Sequence, residues 1–505
     1  MAGGLLLGID LGTSGVKAAV FTPEGRLLGL GRGSYPVDTP RPGWAETDPR
    51  LWWTATAEAV RGAVASSAGG GADIGAVGTD VMFPAVVPMA SDGTPLHAAL
   101  LYCDQRGVAQ VESIARTMGR EAYEGRIGNT FAPGNTAVSN MAWLREERPE
   151  LFRATRVMGF AATFLNARLT GSMAADTTVA SLSGLTDIRD PWRWDPGLCS
   201  ALGIPEDILP PIRAPFDVIG TVCGAAARET GLRAGTPVVA GWGDTASSTF
   251  GSGALEPGCA AYTAGSTDCF AVPLEAAPEK GSWVHTAFGL RGSWLAIGTN
   301  STGGACVKWF LREILGREGA EGLDLFNALA ESSPAGANGL LFLPHMQGER
   351  SPLWDPRARG VFLGMTTATT RADMARAVLE GVAFGLRHMV EAREMETGMG
   401  LREIRACGGG TRSTLWNRIK ASVLGRPLRL LDMEEMAVLG AAAMGGIGGG
   451  IYGGWAEASA ASRSAGLKGI VEPEAELAAF YGDRYALYRE SYPRMRDLMH
   501  ALAGG

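Results

Sequence analysis

Leu5-Leu6-Leu7-Gly8-Ile9-Asp10-Leu11-Gly12-Thr13-Ser14-Gly15-Val16-Lys17-Ala18-Ala19-Val20-Phe21 decides the fold. An apolar run at Leu5–Ile9 is broken by a Gly-rich turn and resumes at Val16–Phe21, which is the pattern of two strands joined by a tight turn. Pro23-Glu24-Gly25 marks a second turn, and Leu27–Leu30 predicts a third strand. Helical spacing follows at Leu51–Ala65 and Val108–Arg116, with a strand-like run at Ala85–Met89 between them. Strands interleaved with helices give an α/β fold. A weaker copy of the opening lies at Gly258–Val272, where Ala264-Gly265-Ser266-Thr267 corresponds to Leu11-Gly12-Thr13-Ser14. Two related halves place a boundary near Phe250–Pro257, dividing the chain into 1–252 and 253–505. A chain of 505 residues also exceeds what one hydrophobic core usually spans, about 250–300 residues.

Lys and Arg number 45 against 52 Asp and Glu, a net charge of −7, which argues against a nucleic-acid binder. The seven Cys are scattered without a C-x-x-C pair, and the five His form no metal-spaced cluster; a reducing, cytoplasmic compartment is expected. The N-terminus has no basic, long apolar leader pattern. Ala437–Ala456 is uncharged for 20 residues, long enough to cross a bilayer, but eight of them are Gly. A buried helix followed by a Gly-rich turn is the expectation, since each Gly weakens a helix by ~1 kcal/mol.

Gly12, Thr13, Ser14 and Gly15 set backbone N–H groups and two hydroxyls at one turn, which can cradle an anion. It is neither a Walker nor a Rossmann loop, because G-x-x-x-x-G-K-[ST] is missing and a strand follows. Asp10 precedes the turn, where a carboxylate can hold Mg2+ through water, and Lys17 follows within reach of a phosphate. A plain hairpin with Asp10 as turn former is the alternative. Gly265, Ser266 and Thr267 repeat the arrangement, as expected if both halves grip one nucleotide. Asp244 follows the apolar run Thr236–Ala240 and opens a helical pattern; it is either a base for a hydroxyl or a helix cap. Gly408–Ser413, between a strand and a helix, is either a seat for a flat adenine ring or a flexible loop. Asp104 and Arg106 can grip sugar hydroxyls or form a surface ion pair. Trp44 and Glu46 can stack on a sugar or anchor a loop, and His345 is structural or at a cleft edge.

Taken together, Gly8–Lys17, Pro42–Glu46, Tyr102–Arg106, Ala240–Thr245, Thr263–Thr267, Gly348–Pro352, Gly408–Gly410 and Leu439–Ala442 resemble the FGGY carbohydrate kinase family, xylulokinase-like in spacing, over nearly the whole chain. The resemblance implies the actin and hexokinase superfamily fold, with two ribonuclease H-like domains facing a central cleft. The first would hold the sugar and the second the nucleotide. Residue by residue it implies Asp244 as catalytic base, Asp10 and Thr13 as metal-linked and first phosphate positions, and Ser266 as the second phosphate position. Gly304, ahead of Lys308, matches a nucleotide-contacting Gly, and Gly409, Gly410 and Ser413 fall at the adenosine motif. Met82 and Phe83 lie in Thr79-Asp-Val-Met-Phe-Pro84, where xylulokinases usually carry Gln-Met-His-Gly, and Thr245 stands where many carry Asn. ATP and Mg2+ are the implied cofactors, a small ketose or polyol the implied substrate, and relatives are often dimers. The competing classes are a nucleotide-operated ATPase like actin or the chaperones, and a sugar-responsive regulator without catalysis.

Overall fold

The computed structural model of the chain describes residues 4–67, 69–432, 435–464 and 466–503. The opening stretch folds as Leu5–Leu11 and Gly15–Phe21, antiparallel, with the turn closed by Gly12 N–H donating to Gly15 O at 3.0 Å. The third strand, Leu27–Ser34, runs past the expected end at Leu30. Its pairing with Gly15–Phe21 continues to Ser34, opposite Gly15, and its glycines let a helix pack closely on it. A Cβ on Gly31 would lie 2.0 Å from Ala59 O, and one on Gly33 2.4 Å from Ala55 O, so only glycine lets the Pro49–Ser66 helix lie this close to the strand.

Ile74–Val81 adds to the other side of Leu5–Leu11 in parallel, with Asp80 opposite Asp10. Trp242–Gly243 then pairs in parallel with Ile74–Val81, Trp242 opposite Asp80, and leads directly into the Asp244–Ser252 helix. Three strand ends that carry Asp10, Asp80 and Asp244 are therefore neighbours. Val218–Thr221 and Pro237–Val239 complete the sheet.

The chain divides into two compact units. The first takes everything through Pro257, Pro273–Ala296 and the segment beginning at Glu435; the second takes Gly258–Val272, Ile297 to Asp432 and the segment from Gly466. The uncharged Gly-rich stretch is a buried helix, Met436–Gly448, that packs on the first unit's sheet. Glycines on both sides permit the contact. A Cβ on Gly8 would stand 2.0 Å from Val438 O, one on Gly78 1.8 Å from Ala441 O, and one on Gly440 1.9 Å from Ser247 O. No helix among the described residues is long and apolar enough to cross a membrane.

The second unit repeats the plan. Cys259–Ala264 and Asp268–Leu274 form an antiparallel hairpin, Ala264 opposite Asp268. Cys259–Ala264 also pairs in parallel with Glu403–Cys407, which pairs in parallel with Leu428–Leu431. Each unit thus holds a hairpin of the kind the internal copy in the sequence predicts, and in each a hairpin strand also carries a parallel neighbour on its open side.

Candidate active site

The first unit gathers carboxylates at the ends of adjacent strands. Asp80 is fully buried, and burial first, then the charges of Asp10 and Asp244, push its carboxyl well above the usual range. Asp10 is raised by burial, an effect opposed by Lys17. Asp244 is pushed up to about 6, chiefly by desolvation and then by the charge of Asp10, while the hydroxyl and N–H of Thr245 pull it down. Its Oδ1 accepts from Thr245 N at 2.6 Å and Thr245 Oγ1 at 3.1 Å. Gly243 is the N-cap of this helix and Asp244 its first residue, so the capping alternative is not the one observed. Such a carboxyl, raised toward neutrality, suits a general base.

What holds Asp244 in place is legible from its neighbours. Trp242 is fully buried, stacked on Phe288 with centroids 5.9 Å apart and flanked by Phe250 and Trp455. Gly243 N–H donates to Thr178 Oγ1 at 2.7 Å, and Thr178 in turn donates to the buried carboxyl of Asp176. Thr178→Val leaves the buried Gly243 N–H unpaired, a cost of about 1–3 kcal/mol. Because the displaced strand end carries Asp244, we expect kcat to fall by roughly 10-fold or more. Steady-state kinetics beside a melting curve check this; unaltered kcat in the folded variant would remove Thr178 from the account.

Around the first hairpin a cavity of about 460 Å3 is lined by Asp10, Gly12, Thr13, Ser14, Lys17 and Arg32 among others. Lys17 pairs with Glu435 at 2.7 Å, so a phosphate would compete with that carboxylate. Thr13 Oγ1 lies 3.4 Å from the Tyr102 hydroxyl. Phe83 packs its ring on Gly243, whose Cβ would come within 2.4 Å of it, and is half-buried beside Asp244. Met82 corrects an expectation: just past the end of the Ile74–Val81 strand, its side chain is 1% exposed and belongs to the hydrophobic core together with Val81.

Asp104 and Arg106 are also engaged otherwise than a sugar grip requires. Asp104 is fully buried and accepts from Ala45 N, Arg106 N, Nε and Nη2 at 2.6–2.9 Å. Arg106 further pairs with Glu46 at 2.6 Å and lies over the Trp44 ring at 3.9 Å. Asp104 and Arg106 pair with each other, but in the interior rather than on the surface, and Trp44 and Glu46 pack against that pair. Arg106 Nη1 keeps no hydrogen-bond partner.

In the second unit the hairpin turn meets a second turn through its backbone. Gly303 N–H and Ala305 N–H donate to Ser266 O at 2.9 and 3.0 Å, and Gly304 N–H to Gly265 O at 2.9 Å. Lys308 Nζ donates to Ser266 Oγ at 2.9 Å. Gly265, Ser266, Thr267, Gly304 and Lys308 are thus brought together. Gly409 and Gly410 form a one-turn 3-10 segment beyond Glu403–Cys407, and a Cβ on Gly410 would meet Ala264 Cβ at 2.8 Å, so this loop abuts the hairpin. Ser413 caps the Thr414–Leu424 helix by accepting from Trp416 N. His345 is buried and hydrogen-bonded to Glu349 at 2.8 Å, a structural placement.

Asp80 and Thr178 were not singled out by the sequence. The available signal for Asp80 was one acidic residue within an otherwise uncharged buried strand; Thr178 offers none, since only tertiary contact brings it to Gly243.

With this arrangement in hand, comparison defines the class. The FGGY family of carbohydrate kinases matches as its N-terminal domain over residues 5–251 and as its C-terminal domain over residues 260–448. The xylulose kinase of Bacillus subtilis is 29% identical over 502 residues, 98% of each chain. The glycerol kinase of Gloeobacter violaceus is 32% identical over 469 residues, 91% of each. The crystal structure of xylulose kinase from Rhodospirillum rubrum has a TM-score of 0.89 at 26% identity, covering 98% of this chain and 100% of that one. The chain belongs to the FGGY family of carbohydrate kinases, with its two-domain actin- and hexokinase-like α/β fold. It is accordingly an ATP-dependent sugar or polyol kinase, a phosphotransferase with an alcohol group as acceptor.

Proposed function

We propose that the chain transfers the γ-phosphate of MgATP to a hydroxyl of a small ketose or polyol, first a xylulose-like pentulose, with Asp244 as base. The observation that carries this reading is the desolvated Asp244 carboxyl at a helix start beside Asp10, raised to about 6. The reading assigns the sugar side to residues 1–252 and the nucleotide side to residues 253–505. Asp244 takes the hydroxyl proton as that oxygen attacks the γ-phosphorus, and ADP leaves. Phosphoryl transfer needs positioning and charge neutralisation more than covalent help. Thr13, Ser14 and the N–H groups of their turn, with Ser266, Thr267 and Lys308, are the phosphate-side groups of this reading. Gly409, Gly410 and Ser413 are its adenosine side. Among the described residues no three His, Cys, Asp or Glu gather as a ready metal set. Asp10, a carboxylate lining the cavity at the first hairpin turn, would hold Mg2+ through water, and the ion would neutralise phosphate charge there. The seven free cysteines support a reducing, cytoplasmic setting.

The base assignment fixes a pH dependence. Asp244 must be ionised to accept a proton, and its pKa is raised, so kcat/KM for the sugar falls as pH drops through about 6. An unperturbed Asp would place that limb near ~4. Because Asp10 and Asp80 interact with it, the limb reports the group of carboxylates. A profile flat down to pH ~5 contradicts the assignment.

Substrate choice rests on the full-length likeness to xylulose kinases; Phe83 and Pro84, which cannot supply the hydrogen bonds of the His that xylulokinases usually carry there, count against D-xylulose itself among the pentuloses. The test compares kcat/KM for D-xylulose and glycerol. We expect D-xylulose to lead by about 10-fold or more. The reverse order makes the chain a polyol kinase.

A further inference from the structure

A pair of buried, opposite charges lies beneath the second unit's loops, outside every role assigned above. Lys420, on the Thr414–Leu424 helix, is fully buried. Its ammonium sits 3.7 Å from the centre of the Trp416 ring and 5.1 Å from that of Tyr262, and its hydrogen-bond acceptor is Gly410 O at 3.5 Å. Asp268 is fully buried at the first position of its strand, opposite Ala264, where the Gly265–Thr267 turn ends. Its Oδ1 accepts from Tyr262 OH at 3.0 Å, and its Oδ2 has no hydrogen-bond partner. A Cβ on Gly303 would strike that Oδ2 at 2.4 Å, so the carboxylate also lies directly under the Gly303–Gly304 turn.

Tyr262 links the two charges: its hydroxyl holds Asp268 and its ring faces Lys420. Each also acts on the other electrostatically. Burial lowers Lys420 to about 8, opposed by Asp268; burial raises Asp268 to about 6, opposed by Lys420. One charge is tied to the Gly409–Gly410 loop and the other to the Gly265–Thr267 hairpin. We infer that Lys420 and Asp268 are a positioning pair that sets these two loops relative to each other and thereby governs nucleotide affinity.

This rests on reading the second unit as the nucleotide side. Neither residue touches nucleotide in this account; both act through the loops. Removing one partner leaves the other buried and uncompensated, whereas removing both does not.

The test measures KM for ATP, KM for sugar, and ADP affinity by calorimetry in the full chain. The variants are Lys420→Met, Asp268→Asn and Lys420→Met with Asp268→Leu. Each single variant is expected to raise KM for ATP and ADP Kd about 10-fold, with sugar KM within about twofold, and the double variant to lose less than the sum of the singles. Gly409→Val separates the effect of the pair from that of the loop, because a Cβ there meets nothing within 4 Å, and a melting curve of the variant checks that it folds. If Gly409→Val weakens ADP while Lys420→Met and Asp268→Asn do not, the pair has no such role. If Gly409→Val leaves ADP binding intact, the nucleotide assignment itself falls. Equal rises in both KM values would reduce the pair to general stability and overturn the inference.

Discussion

Replacing Asp244 with Ala is expected to lower kcat by at least ~10^2-fold while leaving ATP affinity near its original value. On the proposed reading the desolvated Asp244 carboxyl takes the proton. Asp10 and Asp80 share the strand ends but sit on Leu5–Leu11 and Ile74–Val81, whereas Asp244 alone opens a helix with Thr245 directing hydrogen bonds at it. The stability effect has the opposite sign. A carboxyl raised in the fold disfavours its own ionisation, so its contribution to stability falls as pH rises from ~4 through about 6. Asp244→Asn, which removes the ionisation, should therefore melt no lower than the unmodified chain at pH 7 while losing turnover. A variant that loses activity and melts well below the unmodified protein would point to a structural role instead.

Gly78→Ala is expected to destabilise the first unit by about 1–3 kcal/mol or more. The added Cβ would lie 1.8 Å from the carbonyl oxygen of Ala441 and 2.9 Å from Gly445 N. Both are helix backbone, so relief requires the Met436–Gly448 helix to lift from the sheet. That helix also carries Gly440 against Ser247 O on the Asp244–Ser252 helix, so the disturbance should reach the Asp244 carboxylate and, on the proposed reading, reduce kcat. Gly70→Ala is the control, since its Cβ meets nothing within 4 Å and its φ of −91° suits any residue. Thermal or denaturant unfolding reads the difference; coincident transitions for the two variants would refute the packing argument.

Much of the fold was readable because its signals are local. The Gly-rich turns at Gly12–Gly15 and Gly265–Thr267 announce hairpins, and the run at Ile404–Cys407 followed by glycines announces a strand and a loop. The Gly-rich stretch after Ala437 reads as a buried helix from composition, but its membership of the first unit follows only from contacts with residues such as Gly8 and Gly78. The same limit applies within the site. Asp10, Asp244 and Ser266 stand in recognisable turns. Asp80 needed the strand register, and Lys420 needed the helix face it occupies, neither of which neighbouring residues determine. Asp104 and Arg106 were visible as a pair, yet the contacts that hold them in the interior depend on Ala45 and Glu46 arriving from another segment.

The most direct test is coupled ADP release with MgATP across D-xylulose, L-xylulose, D-ribulose, L-ribulose, glycerol, erythritol, xylitol and gluconate, in the unmodified chain and in Asp244→Asn. The account predicts ADP release that depends on one or a few of these compounds and falls by ~10^2-fold or more in the variant. ADP release of equal rate with and without every compound, or undiminished in Asp244→Asn, would contradict it.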